Sequence, residues 1–540
     1  TPFDAAGFSF PGGPGIILGH NSRIAWGMTN LNPDVQDLYV ERINPENPNL
    51  YRAGEEWRKM ELRIEEIVVH GREEPVEQLV RSTRNGPIVS DAEGSQDERS
   101  GFGLDAPSSP PENVNLTELS LRWSALQPNR TFSALFRINR AADFQEFRQG
   151  ASRFDIPSQN LVYADADGNI GYQTPGLIPI RENHDGRYPV PGWDDRYRWR
   201  GFVPFEELPS LYNPEKGYIV TANNPVAPPD YPHHLTADFN YGHRAERIIE
   251  LIEQKGRGIT LDDVATMQGD SRNLPANRIV PHLLSLEPAQ VAVGERTVTA
   301  DQIAGALSVL ADWDREMATD SAGAALYAFF FQALLEELLY DEIPTGYRSR
   351  SRLLKDTSRI HAFLERILEE PRNRWWDDVK SFDSVEGRDE ILLRAVARGL
   401  LAGTDRLGDE LRGWRWGELH TVTFRNQTFG ESGIAPVEAL FNRGPFSVPS
   451  GLDQVYSVDY DLADPFETVN HASMRQIIDL SELGNSRFIH STGQSGHPYH
   501  RHYDDFIDRW RSVQFHPHRW SRADLDAART RRLVLQPVSE

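Results

Sequence analysis

The 540-residue chain contains no cysteine. That removes thiol nucleophiles, cysteine–zinc sites, iron–sulfur clusters and disulfides together. It also lacks a basic block: 57 Lys and Arg stand against 80 Asp and Glu, a formal net charge of −23. Sequence-independent nucleic-acid binding rests on clustered Lys and Arg at phosphates, so no nucleic-acid partner is expected. An anionic membrane surface is disfavoured for the same reason. Long apolar runs are missing too. The longest, residues 322–331, stops at Gln332, far short of the ~20 residues a bilayer needs, so no membrane partner is expected. The opening Thr1-Pro2-Phe3-Asp4 has neither the basic nor the apolar region of a signal peptide, and there is no initiator Met. The chain is therefore expected to start inside a longer reading frame.

What is present is globular. Apolar residues make up 39%, charged residues 25%, and there are 12 Trp, enough for a large core. Residues 8–90 read as β, with strands around 16–18, 24–26, 37–40, 62–69 and 85–89. Residues 107–115 read as a loop, 131–150 as a helical pair, and 161–172 as a hairpin with its tip at 165–169. From about 242 the apolar period becomes helical, over 245–255, from 261, and over 299–313, 321–340, 359–369 and 388–402. β signals return at 421–424 and 487–490, and a helix over 503–511 ends the ordered part. The order suggests one α+β core in two parts, 1–258 and 420–540, interrupted by a helical insertion over 259–419.

Most motifs have a bland explanation beside a chemical one. Asp165-Ala166-Asp167-Gly168-Asn169 starts like a calcium-binding EF-hand loop, but the twelfth position is Gly176 instead of the required Glu, so a hairpin turn is expected. The glycine-rich 12–19 segment has no Lys-Ser/Thr ending and reads as tight turning, not a phosphate cradle. His497, His500 and His502, with His516 and His518, could bind zinc or nickel, yet lack carboxylates at ligand spacing and read as surface histidines. Asp34 and Asp37 flank a loop with free carbonyls, a donor set that suits a hard cation or a solvated turn. Asn223 and Asn224 end a strand before Pro225, where an amide either caps a turn or donates to a developing oxyanion. Arg244 opens a helix, as a carboxylate clamp or an ordinary ion pair.

Taken together, these segments resemble the β-chain of penicillin acylases. The matches run in order: 19–30 (GHNSRIAWGMTN), 34–39 (DVQDLY), 163–172 (YADADGNIGY), 189–192 (PVPG), 217–225 (GYIVTANNP), 242–248 (GHRAERI), 267–270 (MQGD), 310–314 (LADWD), 493–496 (GQSG) and 502–505 (HYDD). The resemblance implies an N-terminal-nucleophile hydrolase with an αββα sandwich. It also implies self-cleavage of a precursor into α- and β-chains, and a serine whose own α-amine is its base. The reaction would be hydrolysis of the amide in a small N-acyl compound, such as a β-lactam side chain or an N-acyl-homoserine lactone, through an acyl-enzyme.

Residue by residue, the resemblance assigns the backbone N–H of Asn30 and the side chain of Asn223 to the oxyanion hole. Arg244 would orient the nucleophile's amine, and Leu18 and Gln159 would line the acyl pocket. A structural Ca²⁺ is implied, held by Asp34, Gln36 through its carbonyl, Asp37, Gly186 through its carbonyl, and Asp238. The implied partner is the α-chain of the same precursor, in a heterodimer, and the implied location is periplasmic or extracellular. The family's first β-chain residue, Ser, has no counterpart at Thr1, whose neighbours match a region well inside that chain. The chain is thus expected to be a fragment with its N-terminal strands missing, inactive alone, and Thr1 is not expected to be the nucleophile. A non-catalytic relative that keeps the fold for binding, and a metal protein built on the histidine-rich tail, are the alternatives.

Overall fold

In a computed structural model the chain forms two compact units, Thr1–Phe239 and Asn240–Glu540. The described residues are 3–13, 15–91, 118–345, 357–381, 384–529, 533–534 and 536. Thr1 and the loop expected over 107–115 lie outside them.

The first unit is organised by a six-stranded sheet. Its order is Ala5–Phe8 (β1), Leu18–Asn21 (β2), Ile24–Asn30 (β3), Gln159–Asp165, Ile170–Gln173 and Ser210–Tyr212. Side chains alternate across the pleat, so Ile24 and Trp26 of β3 and Leu161 and Tyr163 of the next strand are buried together. Thr131–Ile138 (α1) and Phe144–Ala151 (α2) supply Ala134, Leu135, Ile138 and Phe147 to the same core. The Asp143 side chain caps α2 by accepting from Glu146 N–H. β3 and Gln159–Asp165 run antiparallel, with Gln159 opposite Asn30 and Asp165 opposite Ile24. A second sheet places Gln36–Glu41 (β4) between Glu118–Trp123 and Val190–Pro191.

In the second unit the helices are His243–Lys255 (α3), Leu261–Gln268 (α4), Leu274–Leu284 (α5), Ala300–Asp312 (α6), Ala322–Leu339 (α7), Thr357–Leu368 (α8) and Arg388–Leu407 (α9). α7 runs on past Gln332 and is by length and composition apolar enough to cross a membrane, but 78% of it is buried inside the unit. It is the core helix here. α9 lies so close to it that a Cβ on Gly399 would come within 2.7 Å of Phe330 N. The β segments form one sheet in the order Arg443–Ser447, Thr421–Phe424, Asp464–His471, Val458–Asp461, and another of Met474–Ile477, Arg487–His490 and His516–Pro517.

The structure departs from the sequence reading in several places. The boundary between units falls at 239/240 rather than near 258, and the helical block shares a unit with the returning strands. α5 is an added helix, hidden by Pro275 and Pro281; Pro275 is harmless because the first turn needs no N–H there, and Asn273 caps it. The expected strand at 16–18 begins only at Leu18. The helix expected over 503–511 is confined to Ile507–Arg511, and a further helix, Arg522–Ala528, follows under a Ser521 cap.

Candidate active site

β3 ends in polar residues that are tied from two sides. Asn160 is fully buried on the neighbouring strand. Its Nδ2 donates to Thr29 Oγ1 at 3.0 Å and to the Asn30 carbonyl at 3.1 Å. Its Oδ1 accepts from the Tyr172 hydroxyl at 2.6 Å, and that hydroxyl also meets Thr174 Oγ1 at 2.7 Å. Burial pushes the Tyr172 phenol up, so it stays a donor at any working pH.

From the other side, Thr221 Oγ1 lies 2.8 Å from Thr29 Oγ1. Asn223 Nδ2 donates to the Asn30 carbonyl at 2.7 Å. Asn223 sits at φ 65°, a left-handed conformation that Asn tolerates better than most residues. The Asn224 side chain supports this turn by accepting from Ala222 N–H at 3.0 Å. Asn30 and Asn223 are therefore brought together. Gln159 pairs directly with Asn30, and Leu18 begins β2 on the other side of β3; both are half-buried.

Asp34 and Asp37 follow in the loop after β3 and at the start of β4. Between their carboxylates lies Arg181, whose side chain is only 2% exposed. Its Nε donates to Asp37 at 2.9 and 3.1 Å, and its Nη2 donates to Asp34 Oδ1 and to the Asp34 carbonyl, both at 3.0 Å. Trp199 Nε1 also donates to Asp37 Oδ2. Burial pushes the Asp34 carboxyl up; Arg181 opposes this and Asp37 adds to it.

Both carboxylates face the backbone of Gly186, which has φ 87°. A Cβ there would lie 2.3 Å from Asp34 Oδ2 and 2.9 Å from Asp37 Oδ1. Gln36 is exposed at the first position of β4. The segment leading to Asp238 is fixed by Asp34 N–H donating to the Leu235 carbonyl at 2.8 Å. Asp238 itself is exposed, its N–H donating to Thr236 Oγ1 at 3.0 Å.

Arg244 belongs to the second unit, in the first turn of α3, which Gly242 opens at φ 100°. Nearby, Asp459 is pushed up to about 6 by burial, while Arg244 pulls it down and Asp453 pushes it up. The histidines 497–502 make local surface contacts, His502 Nδ1 meeting Asp505 Oδ2 at 2.7 Å.

Sequence reasoning missed Asn160, Tyr172 and Arg181. A polar residue on the buried face of an otherwise apolar strand was the available signal for Asn160. Arg181 is 147 positions from Asp34, and nothing local marks it.

The sequence profile described as penicillin amidase matches residues 1–527. An acyl-homoserine lactone acylase (QuiP) of Pseudomonas aeruginosa is 28% identical, with 99% of this chain aligned to 64% of that protein. A penicillin acylase 2 proenzyme of Pseudomonas sp. strain SE83 is 27% identical over 98% of this chain and 64% of its own length. Penicillin G acylase of Escherichia coli is 32% identical over 45% of this chain. The chain thus spans a little under two thirds of the length of the long relatives it matches. Among solved structures, the thermostable penicillin G acylase of Alcaligenes faecalis superposes with a TM-score of 0.68 at 22% identity, covering 99% of this chain and 92% of that one. The mixed α and β architecture is accordingly the fold of that penicillin G acylase. With a family match over nearly its whole length and that fold, the chain belongs to the penicillin amidase family.

Proposed function

We propose that the protein containing this chain hydrolyses linear amide bonds of small N-acyl compounds, through an acyl-enzyme. The observation that carries this is the convergence of the Asn223 and Asn160 side-chain amides on the Asn30 carbonyl at the end of β3, at 2.7 and 3.1 Å. An oxyanion hole needs donors held rigidly before charge develops. Here the side-chain amide of Asn223 and the backbone N–H of Asn30 are the proposed donors. The Asn160–Tyr172–Thr174 and Thr29–Thr221 hydrogen bonds hold both. Leu18 and Gln159, flanking β3, are the proposed acyl-contact residues; the polar Gln159 favours an acyl group with a hydrogen-bonding atom.

Arg244 is the proposed partner of the nucleophile's amine. The nucleophile and its base are proposed to be an N-terminal serine on the part of the relatives' length that these 540 residues do not span. Its hydroxyl adds to the amide carbonyl, its amine takes the proton, the leaving amine departs protonated, and water releases the acid. The proposed partner is an α-chain from the same precursor, and the proposed location is periplasmic or extracellular.

The Asp34–Asp37 cluster fits a Ca²⁺ ion in its donor chemistry. Two carboxylates carry one more negative charge than Arg181 compensates, and both face a glycine backbone whose missing Cβ leaves room at 2.3 Å. Asp34, Asp37, the Gln36 and Gly186 carbonyls and Asp238 would hold it. The ion would supply structural cross-linking of these loops and no step of hydrolysis.

The test is a substrate panel. Full-length protein is assayed against a phenylacetyl amide, a β-lactam with an acyl side chain, and short- and long-chain N-acyl-homoserine lactones, with trapping of the acyl-enzyme by mass spectrometry. Turnover of at least one, with an acyl adduct on an N-terminal serine, supports the proposal. No turnover and no adduct would leave the fold as a binding scaffold.

A further inference from the structure

His243 is the first residue of α3, His361 lies on α8, and Asp453 lies in the loop before Val458–Asp461. Within the second unit their ligand-capable atoms all come within 4.8 Å of one another. All three are buried, at 4%, 1% and 8% exposure. None is used by the proposed amide chemistry.

The contacts around His243 define which of its nitrogens faces the cluster. Its Nε2 is 2.8 Å from Glu365 Oε1, and Glu365 is itself gripped by Arg278 Nη1 at 2.5 Å. Nδ1 therefore faces Asp453 Oδ2, at 3.8 Å. That is too long for a hydrogen bond, and Nδ1 is buried without a hydrogen-bond partner among the described residues. Two bonds of about 2.0–2.1 Å to one ion can span such a gap. His361 Nδ1 approaches the same Asp453 Oδ2 at 2.7 Å. Asp453 also sits at φ 61°, a left-handed conformation held in place by its surroundings.

We propose that His243, His361 and Asp453 form a structural site for a divalent transition-metal ion of zinc type, which pins the first turn of α3, the turn that carries Arg244. Two imidazoles and one carboxylate are borderline donors, better suited to Zn²⁺ than to Ca²⁺. Glu365 on the far nitrogen of His243 is the outer carboxylate that metal-bound histidines commonly carry. On binding, His361 Nδ1 gives up its proton and the short His361–Asp453 contact opens to ligand spacing. Protons and metal compete for these nitrogens, so affinity falls as pH falls.

The experiment uses untagged full-length protein, stripped with a strong chelator and dialysed against Zn²⁺, then against Co²⁺. The expected result is one tightly held Zn²⁺ per chain, visible d–d absorption from bound Co²⁺, and, once Ca²⁺ has been restored to the stripped protein, an unfolding temperature raised further by Zn²⁺ but not by more Ca²⁺. Asp453→Asn keeps the shape and the backbone tolerance but should abolish the cobalt absorption. Glu365→Gln should weaken Zn²⁺ binding about 10–100-fold, the usual cost of losing an outer partner. If Asp453→Asn does not fold, Glu365→Gln carries the test. Substoichiometric zinc in the wild type would show that a proton occupies the cluster and overturn the proposal. So would zinc binding unchanged in both variants, which would locate the ion elsewhere, as on His497, His500 and His502.

Discussion

Arg181→Met removes the buried cation between Asp34 and Asp37 while keeping most of the side-chain volume. The guanidinium makes hydrogen bonds of 2.9, 3.1 and 3.0 Å to the two carboxylates and another of 3.0 Å to the Asp34 carbonyl. Because Arg181 and Asp37 side chains are each only 2% exposed, solvent cannot replace it. Removing one partner of such a buried pair costs about 3–5 kcal/mol, since a charge is left without compensation. For a unit of this size that is a fall in Tm of about 6–20 °C.

The deficit should depend on pH. Burial already raises the Asp34 carboxyl above its ordinary 3.8, and losing Arg181 removes the influence that opposes this. A carboxyl whose folded pKa exceeds its unfolded one destabilises the fold above the folded pKa, and the penalty shrinks as pH falls toward the unfolded value. Thermal melts followed by circular dichroism at pH 7.5 and near pH 4.5 should show a large gap from wild type at the higher pH and a smaller one at the lower. Added Ca²⁺ should recover part of the loss at pH 7.5. A variant within about 1 kcal/mol of wild type, the level of an exposed pair, with no pH dependence, would refute the reasoning.

Other substitutions test neighbouring parts of the account. Gly186→Ala forces a Cβ to within 2.3 Å of Asp34 Oδ2 at a positive φ, and urea unfolding should show a loss of at least about 1–2 kcal/mol from the left-handed conformation alone. Asn160→Ala takes from the Tyr172 hydroxyl one of its two partners, leaving Thr174, and loosens Asn30, so about 1 kcal/mol of stability should go, and kcat should fall more than KM changes. His420 is fully buried, with Nδ1 2.8 Å from the Phe466 carbonyl, and burial holds its pKa down at about 4. Its stabilising effect is therefore complete above its ordinary 6.5 and is lost as pH falls from there through about 4, a swing of about 3 kcal/mol. His420→Gln should flatten that part of the stability–pH curve, and an unchanged slope would show that other groups cause it.

What could be read in advance followed the range of the interactions. Strand β3, the hairpin tip at Asp165, and helices such as α6 and α9 are legible because periodicity and caps are local. The proposed oxyanion pair comes from the resemblance of segments 19–30 and 217–225, not from a local pattern; the strand expected before Asn223 does not form, and residues 218–222 run as irregular chain. α5 was hidden because two prolines break its pattern, although the first occupies a position where a helix accepts it. Arg181 and Asn160 act on residues 147 and 130 positions away, and no spacing rule reaches that far. The same holds for His243, His361 and Asp453, which come from two helices and a loop. The apolar stretch of α7 reads as too short for a span; the helix runs to Leu339 and is consumed by the core instead.

The most direct test of the central claim is single-turnover acylation by the full-length protein, comparing Asn223→Ala with Asn30→Ala on the best substrate of the panel. Asn223→Ala should slow acylation by about 10²–10³, the cost of one lost oxyanion donor, while Asn30→Ala, which leaves the backbone N–H in place, should change it far less. Equal losses in both variants, or a normal acylation rate in Asn223→Ala, would contradict that claim.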